Sequence, residues 1–317
     1  MRIVIIGGSG HVGTYLVPRL IEAGHEVVNV TRGQRQPYQP HAAWSHVEQV
    51  ALDREALEQD GTFGRRILEL RPDAVIDMIC FTLASAQHLA ETLLGHVQHF
   101  LHCGTVWTFG PSVVVPAPES APKHPFGEYG IQKAAIEKYL LQEAHLNGLP
   151  VTILHPGHIV GPGWIPLNPQ GNFNPHVYEI LAKGEPLPLP HFGMETVHHV
   201  HADDVAQIFQ LALENRSVAL GESFHTVSPA AITLRGYADA VAAWFGQEAN
   251  LRYMSWDEYK GAVSDEDAQA TFDHIAHSPN ASIEKGRRLL GYAPRYSSLQ
   301  AVYESVMWLG ANGQIKI

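Results

Sequence analysis

Tyr129 and Lys133 stand four residues apart in the stretch GEYGIQKAAIEKYL, Gly127 to Leu140. Apolar residues at Ile131, Ala134, Ala135, Ile136, Tyr139 and Leu140 repeat with helical spacing, which puts the phenol and the ammonium on one helix face. A phenol titrates at about 10, and a cation beside it stabilises the phenolate, so such a pair could move a proton at neutral pH. The same spacing suits two side chains that merely pack along a helix surface, and the pair alone leaves both readings open.

A second group with chemical potential opens the chain. In IVIIGGSGHVGTYLVPRL, Gly7, Gly10 and Gly13 fall between an apolar strand and a helix-periodic segment. Glycines there permit a tight turn, let backbone N–H groups approach a pyrophosphate and let the helix pack closely on the strand, which predicts a dinucleotide site. The spacing is G-x-x-G-x-x-G rather than G-x-G-x-x-G. The next strand, EVVNVTRG, ends on Thr31 and Arg32, with Arg35 close behind, where an NAD site carries a carboxylate for the ribose 2′-hydroxyl. A guanidinium pairs with a 2′-phosphate, so NADP(H) is expected in preference to NAD(H). Asp53, in VALDRE, either accepts from the adenine amino group or caps a helix that begins at Arg54.

These residues need elements to hold them. The runs RIVIIG, HEVVNVTR, DAVIDMIC, HFLHCGTVW and PVTILHP are short, apolar and rich in Val and Ile, and helix-periodic segments such as Val12 to Ala23 and Ser85 to Leu94 separate them. Near-continuous apolar strands alternating with helices predict an α/β fold, a doubly wound parallel sheet covered on both faces. From Gly161 the texture changes, with GPGWIPLNPQGNFNP and GEPLPLPHFG dense in Pro, Gly and Asn, so a loop-rich region begins there. Further helices are expected at Asp204 to Glu214 and Leu234 to Phe245.

Composition narrows the class. The 317 residues suffice for a full core, and 45% hydrophobic with 17% charged residues is globular composition. No apolar run approaches the roughly eighteen residues of a membrane span, and the opening MRIVIIGG reads as a buried strand rather than a signal peptide. A formal net charge of −11 without a basic run argues against nucleic acid and anionic membrane, leaving small-molecule partners. Cys80 and Cys103, each in an apolar segment, form no disulfide framework, which fits a cytoplasmic setting.

With the glycine turn in place, the chain resembles the extended short-chain dehydrogenase/reductases, the NAD-dependent epimerase/dehydratase family. The resemblance runs through GGSGHVG, CGTVWTFG, YGIQK as Tyr-x-x-x-Lys, LPVTILHPGHIVGPG, VHADDVA and RRLLGYAPRYSSL, in that order. It implies a Rossmann domain over residues 1–160 and a smaller substrate-binding region over 161–317, partly interwoven with it. It also implies Tyr129 as acid/base, Lys133 as its electrostatic partner and a hold on the nicotinamide ribose, and Thr105 as the hydroxyl on the substrate oxygen. Cofactor contacts carried over with it are Gly7, Gly10, His11, Val12, Gly13, Asp53, Lys133 and Pro156. Family members are commonly dimers through the tyrosine-bearing helix, so a homodimer is expected.

Departures from the family pattern narrow the reaction. Val106 and Trp107 stand where the family's dehydratases carry Asp-Glu, which disfavours sugar dehydration. Val197 replaces an arginine just before the His-Val-x-Asp segment, and within LPVTILHPGHIVGPG His155 and His158 replace that motif's arginine and asparagine, which removes side chains that pair with a diphosphate. Trp107, His155, His158 and Asn174, with Trp164, Asn172 and His176, would instead line an aromatic, neutral polar pocket suited to a sugar derivative or another hydroxylated carbonyl compound. Asn280 alone answers the late Asp or Asn of the family.

Twenty histidines include His199 and His201, which alternate with Asp203 and on a strand would face one side, as a metal site requires. The resemblance gives a quieter role, a strand running into a helix capped by Asp203 or Asp204, and no metal is expected. The activity implied is epimerisation through a transient keto intermediate. A net NADPH-dependent carbonyl reduction is the alternative, and a cofactor-binding regulator without turnover is the third.

Overall fold

Alternate residues of the first strand, β1 (Arg2–Ile6), feed two different cores, Ile3 and Ile5 packing on one side and Val4 and Ile6 on the other. Only a strand between two layers is buried this way, and the computed structural model, which describes all 317 residues, places it mid-sheet. The strands β2 (Glu26–Thr31), β3 (Glu48–Ala51), β4 (Ala74–Asp77), β5 (His99–Cys103) and β6 (Val151–Pro156) follow, and a seventh, Glu222–Thr226, comes from the second half of the chain. Their order is Glu222–Thr226, β6, β5, β4, β1, β2, β3, all parallel. The expected doubly wound sheet is therefore present. Its direction of winding reverses between β1 and β4, and a crevice opens at their carboxyl ends.

Helices cover both faces. On one, α1 (His11–Glu22) packs against the helix Ala202–Glu214, with Val12, Leu16, Val205 and Phe209 in a shared core. On the other lie α2 (Arg54–Gln59), α3 (Phe63–Glu69), α4 (Leu83–Leu93) and α5 (Gly127–Asn147), with Phe63, Leu89, Ile136 and Leu140 against Val4 and Ile6. A separate core built on Leu167, Tyr178, Tyr237 and Val302 holds the later part of the chain together. Residues 161–175 contain no helix or strand, as their Pro and Gly content predicts, but GEPLPLPHFG departs from that expectation, since Leu187–Pro190 forms a strand paired with Leu251–Met254. Because Glu222–Thr226 adds to β6, the sheet itself reaches into that later part. No helix is long and apolar enough to cross a membrane.

The histidine run folds differently from the simplest expectation. The helix over 202–214 is capped by His201, whose Nδ1 accepts the Asp203 N–H at 3.1 Å, while Asp203 and Asp204 lie in its first turn. Asp203 is committed to Arg19 and Arg295, and Asp204 accepts the N–H groups of Arg295 and Tyr296. His199 bonds the Leu167 carbonyl at 2.9 Å, and His201 pairs with Glu304 and stacks on Tyr296. Each of the three is thus drawn to a different partner.

Candidate active site

The glycine turn works by close approach. A Cβ on Gly13 would lie 1.9 Å from the Gly8 carbonyl oxygen, and Gly7 has φ +89°, so α1 begins pressed onto the turn that precedes it. Gly10 is the N-cap and supplies no side-chain acceptor, and the first turn holds no acidic residue. The amides at the start of α1 are therefore free for an anion. Beside them a cleft of about 590 Å³ is lined by Gly7, Ser9, Thr31, Arg32, Arg35 and Asp53, among others. Arg32 and Arg35 are exposed and pair with no carboxylate. Thr31 Oγ1 accepts the Gly33 N–H at 3.0 Å, shaping the turn that carries them. Asp53 both lines the cleft and caps α2, accepting the Ala56 N–H at 3.2 Å. Tight glycines and free amides in one cleft fit a dinucleotide's pyrophosphate.

The floor of that cleft holds a charge network invisible in the sequence. Arg54 Nη1 donates to both Asp77 oxygens at 2.8 and 3.0 Å, and its Nε donates to Glu58 at 2.7 Å. Asp77, Cys80 and His102 bring potential metal-ligating atoms within 4.8 Å of one another, but the Arg54 guanidinium already occupies Asp77.

At the far end stands the tyrosine-bearing helix. Gly130, where a Cβ would come 3.2 Å from the Trp107 carbonyl, lets α5 approach the turn Val106–Phe109 that follows β5. Lys133 is buried and its Nζ donates to the Cys103 carbonyl at 2.7 Å. It lies 5.9 Å from the Tyr129 ring centre and 5.1 Å from that of Phe81, a residue of the cleft. Burial pushes the Lys133 ammonium down from its ordinary value, against the pull of Cys103, Cys80 and Asp77. Tyr129 keeps an open ring, 42% exposed, yet burial of its hydroxyl end pushes the phenol up to about 12, with Cys103 adding and Thr105 partly opposing.

Thr105 lies two residues past β5 and caps the turn Val106–Phe109. Its Oγ1 accepts the Trp107 N–H at 3.3 Å, which leaves the hydroxyl proton free to donate. Thr105, within hydrogen-bond reach of the Tyr129 hydroxyl, and Lys133, on the Cys103 carbonyl, thus both neighbour Tyr129.

Trp107 extends the site outward. It meets Tyr129 edge-on at 5.9 Å and stacks on His277 at 4.1 Å, with His274 at 5.1 Å and His158 at 6.5 Å. His274 and His277 belong to the helix Asp265–His277, which no local signal in the sequence connects to Trp107. Burial pushes both imidazoles down, His274 to about 4, and drives His158 well below its ordinary value, so this lining is neutral near pH 7. His155 lies elsewhere than the cleft lining expected of it: it is fully buried behind Thr105, with one ring nitrogen on the Thr105 N–H and the other on Glu137. Asn174 is engaged with Asp267 and the His176 N–H. Glu137 continues the four-residue spacing of Tyr129 and Lys133 and lies buried on their face of α5. His11, at the start of α1, stacks on Trp164 at 5.0 Å, and Pro156 ends β6 beside Thr226.

A doubly wound sheet, a glycine turn and a Tyr-x-x-x-Lys helix together define a nucleotide-dependent oxidoreductase-type enzyme. The chain matches the NAD dependent epimerase/dehydratase family over residues 3–225 and belongs to that family. It is 33% identical to the 2'-dehydrokanamycin reductase of Streptomyces kanamyceticus over 138 residues, 44% of this chain but only 37% of that protein. It is 23% identical over 314 residues to the chloroplast stem-loop binding protein of 41 kDa b of Arabidopsis thaliana, covering 96% of this chain and 78% of that one. Its fold is that of the UDP-glucose 4-epimerase of Thermotoga maritima solved with UDP-glucose, at TM-score 0.73 and 22% identity, covering 98% and 99% of the two chains.

Proposed function

We propose that this protein is an NADP(H)-preferring, epimerase-type oxidoreductase that acts on a sugar or sugar derivative through a transient keto intermediate. The observation that carries this reading is that Thr105, just past the carboxyl end of β5, and Lys133, bonded to the Cys103 carbonyl at that end, both neighbour Tyr129. The nicotinamide cofactor, when bound, supplies the hydride acceptor and donor. The amides after Gly7 and Gly10, through His11, Val12 and Gly13, hold its pyrophosphate. Thr31 and Arg32 take the 2′-phosphate, the free oxygen of Asp53 faces the adenine, and Pro156 borders the nicotinamide. Lys133 holds the ribose and favours the phenolate. Tyr129 takes the substrate hydroxyl proton as the carbonyl forms and returns it afterwards, while Thr105 donates to the same oxygen.

Trp107 and His158 face the substrate in this reading. His155 and Asn174 act from behind, on Thr105 and on the 172–176 loop. Residues 1–160 serve the cofactor and 161–317 the substrate. Ile131 and Leu146, 48% and 69% exposed on α5, suit burial in a homodimer, and the two buried, unpaired cysteines suit the cytoplasm.

A net NADPH-dependent reduction of a carbonyl is the second reading. It is favoured by the neutral aromatic lining around Trp107, which offers no arginine to a nucleotide diphosphate, and by the likeness to a reductase. The test is to incubate the purified protein with either cofactor and a panel of UDP-glucose, free hexoses, amino sugars and their keto derivatives, following nicotinamide absorbance and product stereochemistry by NMR. Failure to bind either cofactor would remove both readings.

A further inference from the structure

We infer that His155, fixed by Glu137, is a positioning residue that sets the Thr105 hydroxyl against Tyr129, so that α5 carries both the acid/base pair and the anchor of its partner hydroxyl. This rests on the reading that Thr105 donates to the substrate oxygen.

The tautomer follows from the contacts. The Thr105 backbone N–H donates to His155 Nδ1 at 3.2 Å, and because an amide N–H can only donate, Nδ1 must be a lone pair. The ring proton is then on Nε2, which donates to Glu137 Oε1 at 3.0 Å. Lys123 Nζ donates to that same oxygen at 2.7 Å. Burial opposes charge on Glu137, but the hydrogen bond from His155 Nε2–H and the Lys123 ammonium outweigh it and hold the carboxyl well below the usual range. A permanent carboxylate thus selects the tautomer that leaves Nδ1 free to accept. His155, Glu137 and Thr105 are 0%, 1% and 7% exposed, so water offers no substitute partner.

Two further features are built around this contact. A Cβ at Gly104 would stand 2.5 Å from Nδ1, so only glycine at 104 lets the imidazole reach the strand end. The other side of the ring is closed by Phe109, edge-on at 5.6 Å. Tyr129, Lys133 and Glu137 share one face of α5, so the separation between the phenol and the Thr105 strand end is set by one rigid helix and one imidazole. Small errors in such a separation cost large factors in rate.

The test uses the full-length protein saturated with NADP⁺. In isotope-labelled wild type, NMR should show His155 unprotonated at Nδ1 and protonated at Nε2, and a slowly exchanging Thr105 amide. A protonated Nδ1 would overturn the inference whatever the substrate. His155→Asn places a carbonyl close to the Nδ1 position and His155→Leu places none. The Asn variant should keep Thr105 amide protection and hold kcat within about threefold, on whichever panel compound wild type turns over. The Leu variant should lose that protection and at least about tenfold in kcat, with KM and the NADPH dissociation constant within about twofold. A merely structural histidine would lower the melting temperature of both variants and leave kcat per folded site alike, which would contradict the proposal. If His155→Leu does not fold, Glu137→Gln, whose amide oxygen still accepts from Nε2–H, against Glu137→Leu makes the same comparison. Unchanged turnover in Thr105→Val, with the tautomer as predicted, would leave the hydrogen bond standing and overturn its role through the underlying reading.

Discussion

The ammonium of Lys133 donates to the Cys103 carbonyl at 2.7 Å and stands 5.9 Å from the centre of the Tyr129 ring, so a single buried cation joins the end of β5 to the acid/base helix. In the proposed function its remaining N–H groups serve the ribose and the phenolate. Lys133→Ala should therefore weaken both cofactor affinity and turnover, while Thr105→Val should cut turnover and spare affinity. Parallel titrations and rate measurements check this, and a Lys133→Ala enzyme with intact cofactor affinity would separate the lysine from the ribose.

Cofactor choice gives a second expectation. Arg32 and Arg35 are exposed, unpaired and on the rim of the cleft. NADPH should bind more tightly than NADH, and Arg32→Ala should remove most of the difference, about 1.5 to 3 kcal/mol for a charge-assisted contact to phosphate. Calorimetric titration with each nucleotide decides it, and equal wild-type affinities would refute the preference.

Epimerase and reductase share every residue named at the site and differ in whether the oxidised intermediate leaves. An epimerase should show redistribution of configuration at one carbon with no steady change in nicotinamide absorbance. Stoichiometric loss of NADPH absorbance with a carbonyl substrate would place the enzyme with the reductases.

Buried histidines should govern acid stability. Burial holds His11, His99, His199 and His225 at about 3 and His198 at about 4 in the folded chain. Unfolded, each titrates at about 6.5, so between that value and about 4 the unfolded state binds more protons and stability falls as pH falls. Each such histidine steepens that fall. Glu137, depressed in the fold, adds a further loss only below its unfolded value, about 4.3. Urea midpoints should therefore drop clearly between pH of about 7 and about 5, and a flat profile would contradict neutral burial of these rings.

Much of this architecture was legible because buried parallel strands are written as apolar runs: β1, β2, β4, β5 and β6 all fall on such runs. The strand Glu222–Thr226 is not written as an apolar run because its polar side chains find distant partners, Glu222 pairing with Lys285 and His225 bonding the Ser282 carbonyl. A polar strand of that kind has no periodicity to read. The cofactor turn and the Tyr129–Lys133 pair are local in sequence and were visible. His274 and His277 reach Trp107 only through tertiary packing of a late helix. The place of His155 at a strand end suggests a lining role, whereas its side chain is bonded to Glu137 on the helix that carries Tyr129 and Lys133.

The most direct measurement is the single-turnover rate of hydride transfer in Tyr129→Phe, compared with wild type at saturating cofactor and a verified substrate. Phenylalanine keeps the ring and its edge-on packing on Trp107 but removes the proton. Acid/base chemistry at Tyr129 predicts an unchanged cofactor dissociation constant, an unchanged melting temperature and a fall in transfer rate of about a hundredfold or more. A variant that transfers hydride at close to the wild-type rate would return Tyr129 and Lys133 to a packed pair on a helix surface and require another acid.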